Sequence, residues 1–299
     1  MYMPKSNQNG IVKLTKVGRK QATIFSGFCN YHDNDTFEEI ENVNFNEIDW
    51  DNPRTLLLYS LRAISRENWA KKSGISFLSK IDSCIRKDDS ESLKETYNDD
   101  HISIKDFSPY WTAHGRQHLK GLKKLVSRIN KIFESIRTIL RNGKKFHLWQ
   151  TKKYLLNCKP LSGAASVFSP QKTPNGSHIQ KLNLKSEVAD IIINILPLPS
   201  EHLIMLTYHK NHKEKLLPLF DELDSLDSDK QEIIFSKILI MHCENMVLSP
   251  RIVECWNDRT RREFDNCFDQ TITSEVDFDK IPNINLFRID GNYPQAQPE

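Results

Sequence analysis

The sequence predicts an α+β fold, and three observations predict it. From about Pro109 to Asn142 the apolar residues Leu119, Leu122, Val126, Ile129, Phe133, Ile136 and Leu140 step by 3 and 4, the period of a packed helical seam. Short Ile/Leu/Val-rich runs follow, separated by Pro, Gly, Asn and Ser, and read as strands of an antiparallel sheet. Helix period then returns over about 213–225, 229–244 and 251–268. At 299 residues, 38% hydrophobic and 27% charged, the chain is long enough to bury a substantial core.

Taken in order, Ile11–Leu14 and Ala22–Phe28 read as the strands of an N-terminal hairpin, with a polar turn over Lys16–Lys20. Asn52-Pro53 is a helix start, with Pro in the first turn, and Leu56, Leu57, Leu61, Ile64 and Trp69 follow at helical spacing until Gly74 stops them. A second helix covers about 75–86, and the polar, unperiodic stretch 87–107 reads as a loop. The long helix ends at Gly143, a cap residue. Strands are expected at 145–155, 164–168, 179–184, 188–196 and 202–208, and the final thirty residues as an extended tail. This gives a half-finger and helical region over 1–100, the long helix, sheet and closing helices over 101–272, and the tail over 273–299.

Composition excludes some classes. The longest apolar runs, such as Ile191–Leu196, are far short of the roughly 20 residues of a membrane helix. The start Met1-Tyr2-Met3-Pro4-Lys5 lacks the apolar core of a secretory signal, so a cytoplasmic location is expected. Six scattered cysteines point to reduced thiols rather than a disulfide framework. Neither a Gly-rich phosphate loop nor a Gly-x-Ser-x-Gly elbow is present.

The net charge of +3 hides two blocks. Between Arg116 and Lys145 stand ten Lys/Arg and one acid, Glu134, whereas Cys29–Asp51 holds eight acids and no Lys or Arg. A basic face on an amphipathic helix binds phosphate backbone without sequence preference, and Lys120, Lys123, Lys124, Arg128 and Lys131 are its candidates. Tyr110, Trp111, Phe146 and Trp149 are the aromatic neighbours that could stack bases. The competing readings are a solvated face, or docking onto the acidic 29–51 block.

Cys29 and His32, in Phe28-Cys29-Asn30-Tyr31-His32-Asp33, form a two-residue clamp for zinc or another divalent metal. Asp33 and Glu41 add carboxylates suited to a hard cation. The plainer reading is a buried thiol, a hydrogen-bonded imidazole, and Asp33 or Asp35 capping a helix. His114 and His118 have metal-binding spacing but no third ligand, and read as surface or capping residues. His209 and His212 are expected to face solvent. Glu244 and Asn245 are expected to tie the end of a helix to the following loop by buried hydrogen bonds.

The Phe-Cys-x2-His-Asp element, with Phe37-x2-Ile40-Glu41 after it, resembles one in a bacterial protein family similar to degenerate HNH, or treble-clef, fingers. The likeness continues in patches at 22–27, 63–67, 165–169, 194–197 and 243–250. It implies a metal-dependent endonuclease of a phage-defence or mobile-element locus, with Cys29 and His32 as metal ligands, His32 and Asp33 as catalytic residues, and nucleic acid as substrate. The family has Cys-x2-Cys where this chain has Cys29-x2-His32. The family's first half-finger, carrying a Cys and an Ala-His-Ser-Ile-like motif, would lie ahead of the residues present, so the expected catalytic site is incomplete. The alternative class is a non-enzymatic interaction protein with a vestigial finger, whose basic helix docks a partner protein or a second copy.

Overall fold

The computed structural model describes residues 1–6, 12–18, 22, 30–99, 101–182, 187–273 and 276–289, with 6, 30–34, 45, 106, 107, 110, 269, 272 and 273 described by backbone alone. The strands are β1 (Tyr2–Ser6), β2 (Val12–Lys16), β3 (Trp149–Leu156), β4 (Ser162–Phe168), β5 (Ile191–Pro197), β6 (His202–His209) and β7 (Met246–Leu248). The helices are α1 (Asn30–Glu41), α2 (Pro53–Lys87), α3 (Ser90–Tyr97), α4 (Ile104–Tyr110), α5 (Arg116–Asn142), α6 (Lys213–Ser225), α7 (Ser228–His242), α8 (Pro250–Val253) and α9 (Asp258–Thr273). The class is α+β. Two compact units form, one from Met1–Ala63 with Ile139–Glu299 and one from Ile64–Thr138. Both limits of the second unit fall inside helices, α2 and α5, so no polar linker marks them and the boundaries read near residues 100 and 272 do not coincide with them.

The first unit is built on a seven-stranded antiparallel sheet in the order β2-β1-β7-β4-β5-β6-β3. Ile191, Ile193 and Ile195 of β5 and Ile204, Leu206 and Tyr208 of β6 share one core with Leu216, Leu223, Phe235, Leu239 and Phe264 of α6, α7 and α9. Ile192, Met205 and Thr207, which alternate with them, are also fully buried. Ser60 of α2 donates to Thr207 Oγ1 at 3.0 Å, on that second face. Strands covered on both faces read as unbroken apolar runs rather than alternation, which is why these two were visible in the sequence.

The hairpin lies elsewhere than expected. Tyr2–Ser6 pairs with Val12–Lys16, in register Tyr2 with Lys16 and Ser6 with Val12. Pro4 concealed the first strand, since proline is uncommon within sheets. Of the expected Ala22–Phe28 strand, Ala22 is helical and 23–28 lie outside the described residues. Residues 179–182 form no strand. There Gln180 donates its side-chain amide to the carbonyls of Pro170 (3.0 Å) and Ala189 (2.8 Å) and accepts from Ala189 N–H (2.8 Å), so a side chain supplies bonds that a ladder would otherwise make. The expected tail is a packed strap as far as it is described. Ile281, Ile284, Leu286 and Phe287 are buried. Asn285 and Arg288 donate to Glu232 at 2.8 and 2.7 Å, and Leu286 N–H to Ser236 Oγ at 2.9 Å.

In the second unit α2 and α5 form an antiparallel pair. Asn68 donates to Asn130 at 2.7 Å, Gly74 faces Leu122, and Asp82 bonds Arg116, so residue numbers rise on one helix as they fall on the other. Gly74 therefore does not stop a helix. It sits within one, where a Cβ would lie 3.4 Å from Leu122 Cδ2. That is ordinary contact, so Gly74→Ala should raise stability by about 0.5–1 kcal/mol through helix propensity. A lowered urea midpoint would show that Leu122 cannot yield. Of the seam, Leu119, Val126, Ile129 and Ile136 are buried, while Leu122 and Phe133 are half-buried.

The expected loop 87–107 contains α3 and α4. Asp89 caps α3 by accepting from Ser92 N–H at 3.0 Å, and Asn98, in the left-handed region at φ 51°, ends it. The segment looked unperiodic because little of it is buried, chiefly Leu93 and Ile104. The long helix begins at α4, passes through a π turn at Trp111–Gly115, and continues as α5. Its end is as expected: Gly143, at φ 62°, donates its N–H to Ile139 O at 2.9 Å.

Candidate nucleic-acid interface

With a helix turning about 100° per residue, Lys120, Lys123, Lys124, Arg128 and Lys131 fall within a sector of about 140°, roughly opposite the apolar seam. The stripe from Lys120 to Lys131 is about 16 Å long. The four lysines are exposed and Arg128 is half-buried. Among the described residues no ion pair holds Lys120, Lys123, Lys124 or Lys131, in contrast to Arg137, which pairs with Glu134 at 3.2 Å.

Toward its start the stripe borders an open groove of about 470 Å³ lined by Asp82, Arg116, Leu119, Lys120, Lys123, Lys124 and Ser127. Asp82 comes from α2. Its Oδ1 accepts from Trp111 Nε1 and Arg116 Nε, each at 2.9 Å, and its Oδ2 pairs with Arg86 at 2.9 Å. Burial works against the Asp82 charge, but the hydrogen bonds from Trp111 and Arg116 and the charges of Arg86 and Arg116 outweigh it and hold the carboxyl below its ordinary range. Sequence reasoning missed Asp82. Nothing in its own neighbourhood marks it, whereas Arg116 was legible as one more step of the stripe, four residues before Lys120.

Of the aromatic neighbours, the two tryptophans offer no stacking platform. Trp111 is 3% exposed with its N–H on Asp82. Trp149 is buried and meets His209 edge-on at 5.3 Å. Phe146 is half-buried, and the side chain of Tyr110 lies outside the described residues.

Cys29 also lies outside the described residues. His32 and Asp33 fall within α1, with only their backbone described, so the chain at His32 is helical rather than the knuckle of a hairpin. Asp33 and Asp35 are interior to that helix and do not cap it. Among the described residues no group of three His, Cys, Asp or Glu is placed to hold a metal ion. The acidic block is engaged within its own unit: Glu39 pairs with Arg54 and Glu41 with Arg62, each at 2.6 Å, and Asp51 with Lys153.

His114 and His118 are exposed. His209 and His212 are half-buried rather than solvent-facing, and burial lowers both pKa values despite the Glu187 carboxylate near them. Glu244 is exposed, and the end of α7 is tied down by Ser166 Oγ donating to His242 O at 2.9 Å and by Ala165 N–H donating to Asn245 O at 3.2 Å. The five described cysteines are free thiols. Cys158 lies 3.3 Å from His202 Nδ1, but this pair is not a nucleophile and base. The N–H groups of Leu161 and Ser162 point at His202 Nε2 from 3.2 and 3.3 Å, which places the imidazole proton on Nδ1, and burial pushes the thiol up to about 12.

No family model matches the chain, and neither a curated protein nor a solved structure matches it. Among the described residues no helix is long and apolar enough to cross a membrane.

Proposed function

We propose that this chain binds the phosphate backbone of nucleic acid, without sequence preference, through the exposed face of α5. The observation that carries the reading is the set of four exposed lysines, free of ion pairs among the described residues, opposite an apolar seam that already packs the helix. Packing does not require that charge, and a phosphate backbone attracts it. Docking of the acidic block onto this face is disfavoured because Glu39, Glu41 and Asp51 already have basic partners. The burial of Trp111 and Trp149 favours duplex over single strands, since base stacking would need exposed rings.

Affinity measured against salt tests the reading. With five contacts the slope of log K against log salt for a duplex should be about −4 to −5. The triple reversal Lys120→Glu, Lys123→Glu, Lys124→Glu should flatten that slope by about three units and weaken binding about equally across unrelated sequences. No detectable binding by the wild type near roughly 50 mM salt, or an unchanged slope in the variant, would leave the helix as a docking face for a protein.

A further inference from the structure

We infer that Arg116, held in place by Asp82, is the anchor of this interface, a guanidinium that forks one phosphodiester in the groove while the lysines act as point charges along the strand. The inference rests on the nucleic-acid reading above and assigns the groove its ligand chemistry.

The geometry separates Arg116 from Arg137 and from the lysines of the stripe. Its Nε is bonded to Asp82 Oδ1 at 2.9 Å, and among the described residues its two terminal nitrogens have no partner. Arg137, by contrast, uses a terminal nitrogen on Glu134. A guanidinium fixed through Nε keeps the paired donors that match a phosphate bidentately, and it loses little freedom on binding. Asp82 is itself immobile, with Trp111 Nε1 on one oxygen and Arg86 on the other. Its side chain is 13% exposed, whereas that of Arg116 is 46% exposed and lines the groove.

Charge points the same way. Arg86 and Arg116 pair with the Asp82 carboxylate, whose two oxygens are already occupied by donors, and Lys120, Lys123 and Lys124 line the same groove. An anion entering the groove therefore meets surplus positive charge, with the Ser127 side chain as a further wall. If Arg116 served only to neutralise Asp82, Arg86 would already suffice.

Fluorescence anisotropy of the full chain with a labelled duplex, across a salt series, separates the anchor from the stripe. Lys131→Gln should cost about two- to fivefold in affinity and one unit of slope, as for any single phosphate contact. Arg116→Gln should cost more than about tenfold with the same one-unit change of slope, and Arg116→Lys should keep the slope yet still lose about tenfold, because an ammonium cannot fork. Asp82→Ala is the sharpest arm, because it removes the oxygen that accepts from Arg116 Nε. It makes the groove more positive, so charge alone predicts tighter binding, whereas loss of the support predicts weaker binding. Should Asp82→Ala fail to fold, Arg116→Lys against Arg116→Gln carries the test.

Equal losses in Arg116→Gln and Lys131→Gln, or tighter binding by Asp82→Ala, would overturn the anchor and leave the nucleic-acid reading intact. Wild type that binds no duplex at low salt would overturn both. If Arg116→Gln instead abolishes binding to phosphatidylserine vesicles while its duplex affinity stays at the Lys131→Gln level, the groove serves a headgroup and the inference falls.

Discussion

Gly115→Ala should destabilise the helical unit by about 2–3 kcal/mol, at the upper end of what overpacking usually costs. A Cβ on Gly115 would stand 2.2 Å from Trp111 Cε3 and 2.5 Å from Cδ2, well inside contact distance. Trp111 cannot step aside freely. It is 3% exposed, shares a core with Ile81, Cys84, Leu93 and Ile104, and donates its N–H to Asp82. Either the indole leaves Asp82 or the π turn unwinds, and both disturb the carboxylate that orients Arg116. Gly121→Ala is the control, because nothing lies within 4 Å of a Cβ there, and it should stabilise the helix by up to about 1 kcal/mol. Urea midpoints decide it. Equal midpoints for the two variants would mean that the π turn accommodates a methyl group, and partial recovery in Gly115→Ala with Trp111→Leu would locate the clash on the indole.

Gly115 and Asp82 also show where the sequence stops being legible. The seam of α5, its basic face and the stop at Gly143 follow from spacing and residue type within one continuous segment. Ile191–Leu196 and His202–Tyr208 were visible because both faces of those strands are covered. The elements that escaped depend on partners distant in the chain. Asp82 lies 34 residues before Arg116, and no local pattern links them. Gly74 has the composition of a stop and the role of a close contact with Leu122. Met246–Leu248 is a three-residue strand, too short to display a period. Phe287 and its neighbours pack into the core where Asn285 and Arg288 find Glu232, a residue more than fifty positions away. For the candidate site, the cations could be read from the sequence and the carboxylate that orders one of them could not.

Acid should destabilise this protein from about pH 6.5 downward, before the carboxylates begin to titrate. His202 is fully buried, with its ring edge-on to Phe287 at 5.0 Å, and burial lowers its pKa to about 4. His242 stacks on Phe168 at 4.9 Å, and burial lowers it likewise to about 4. An unfolded histidine titrates near 6.5. The folded state therefore binds fewer protons than the unfolded state between those values. The stability from keeping each ring neutral is complete above about pH 6.5 and is lost as pH falls toward about 4. By pH 4.5 the loss from His202 is about 2.5 kcal/mol. His242 adds a smaller share, because that residue keeps some exposure, and His209 and His212 shift in the same direction. Urea unfolding at a series of pH values checks this, with His202→Gln as the decisive variant. That variant should be less stable than wild type at pH 7, because Cys158, Leu161 and Ser162 lose their partner, yet its stability should fall less steeply toward pH 4.5. A wild-type unfolding free energy that stays flat between pH 7 and 5, or an unchanged slope in His202→Gln, would mean that the fold accepts protonated His202 and that the buried neutral ring is not a source of its stability.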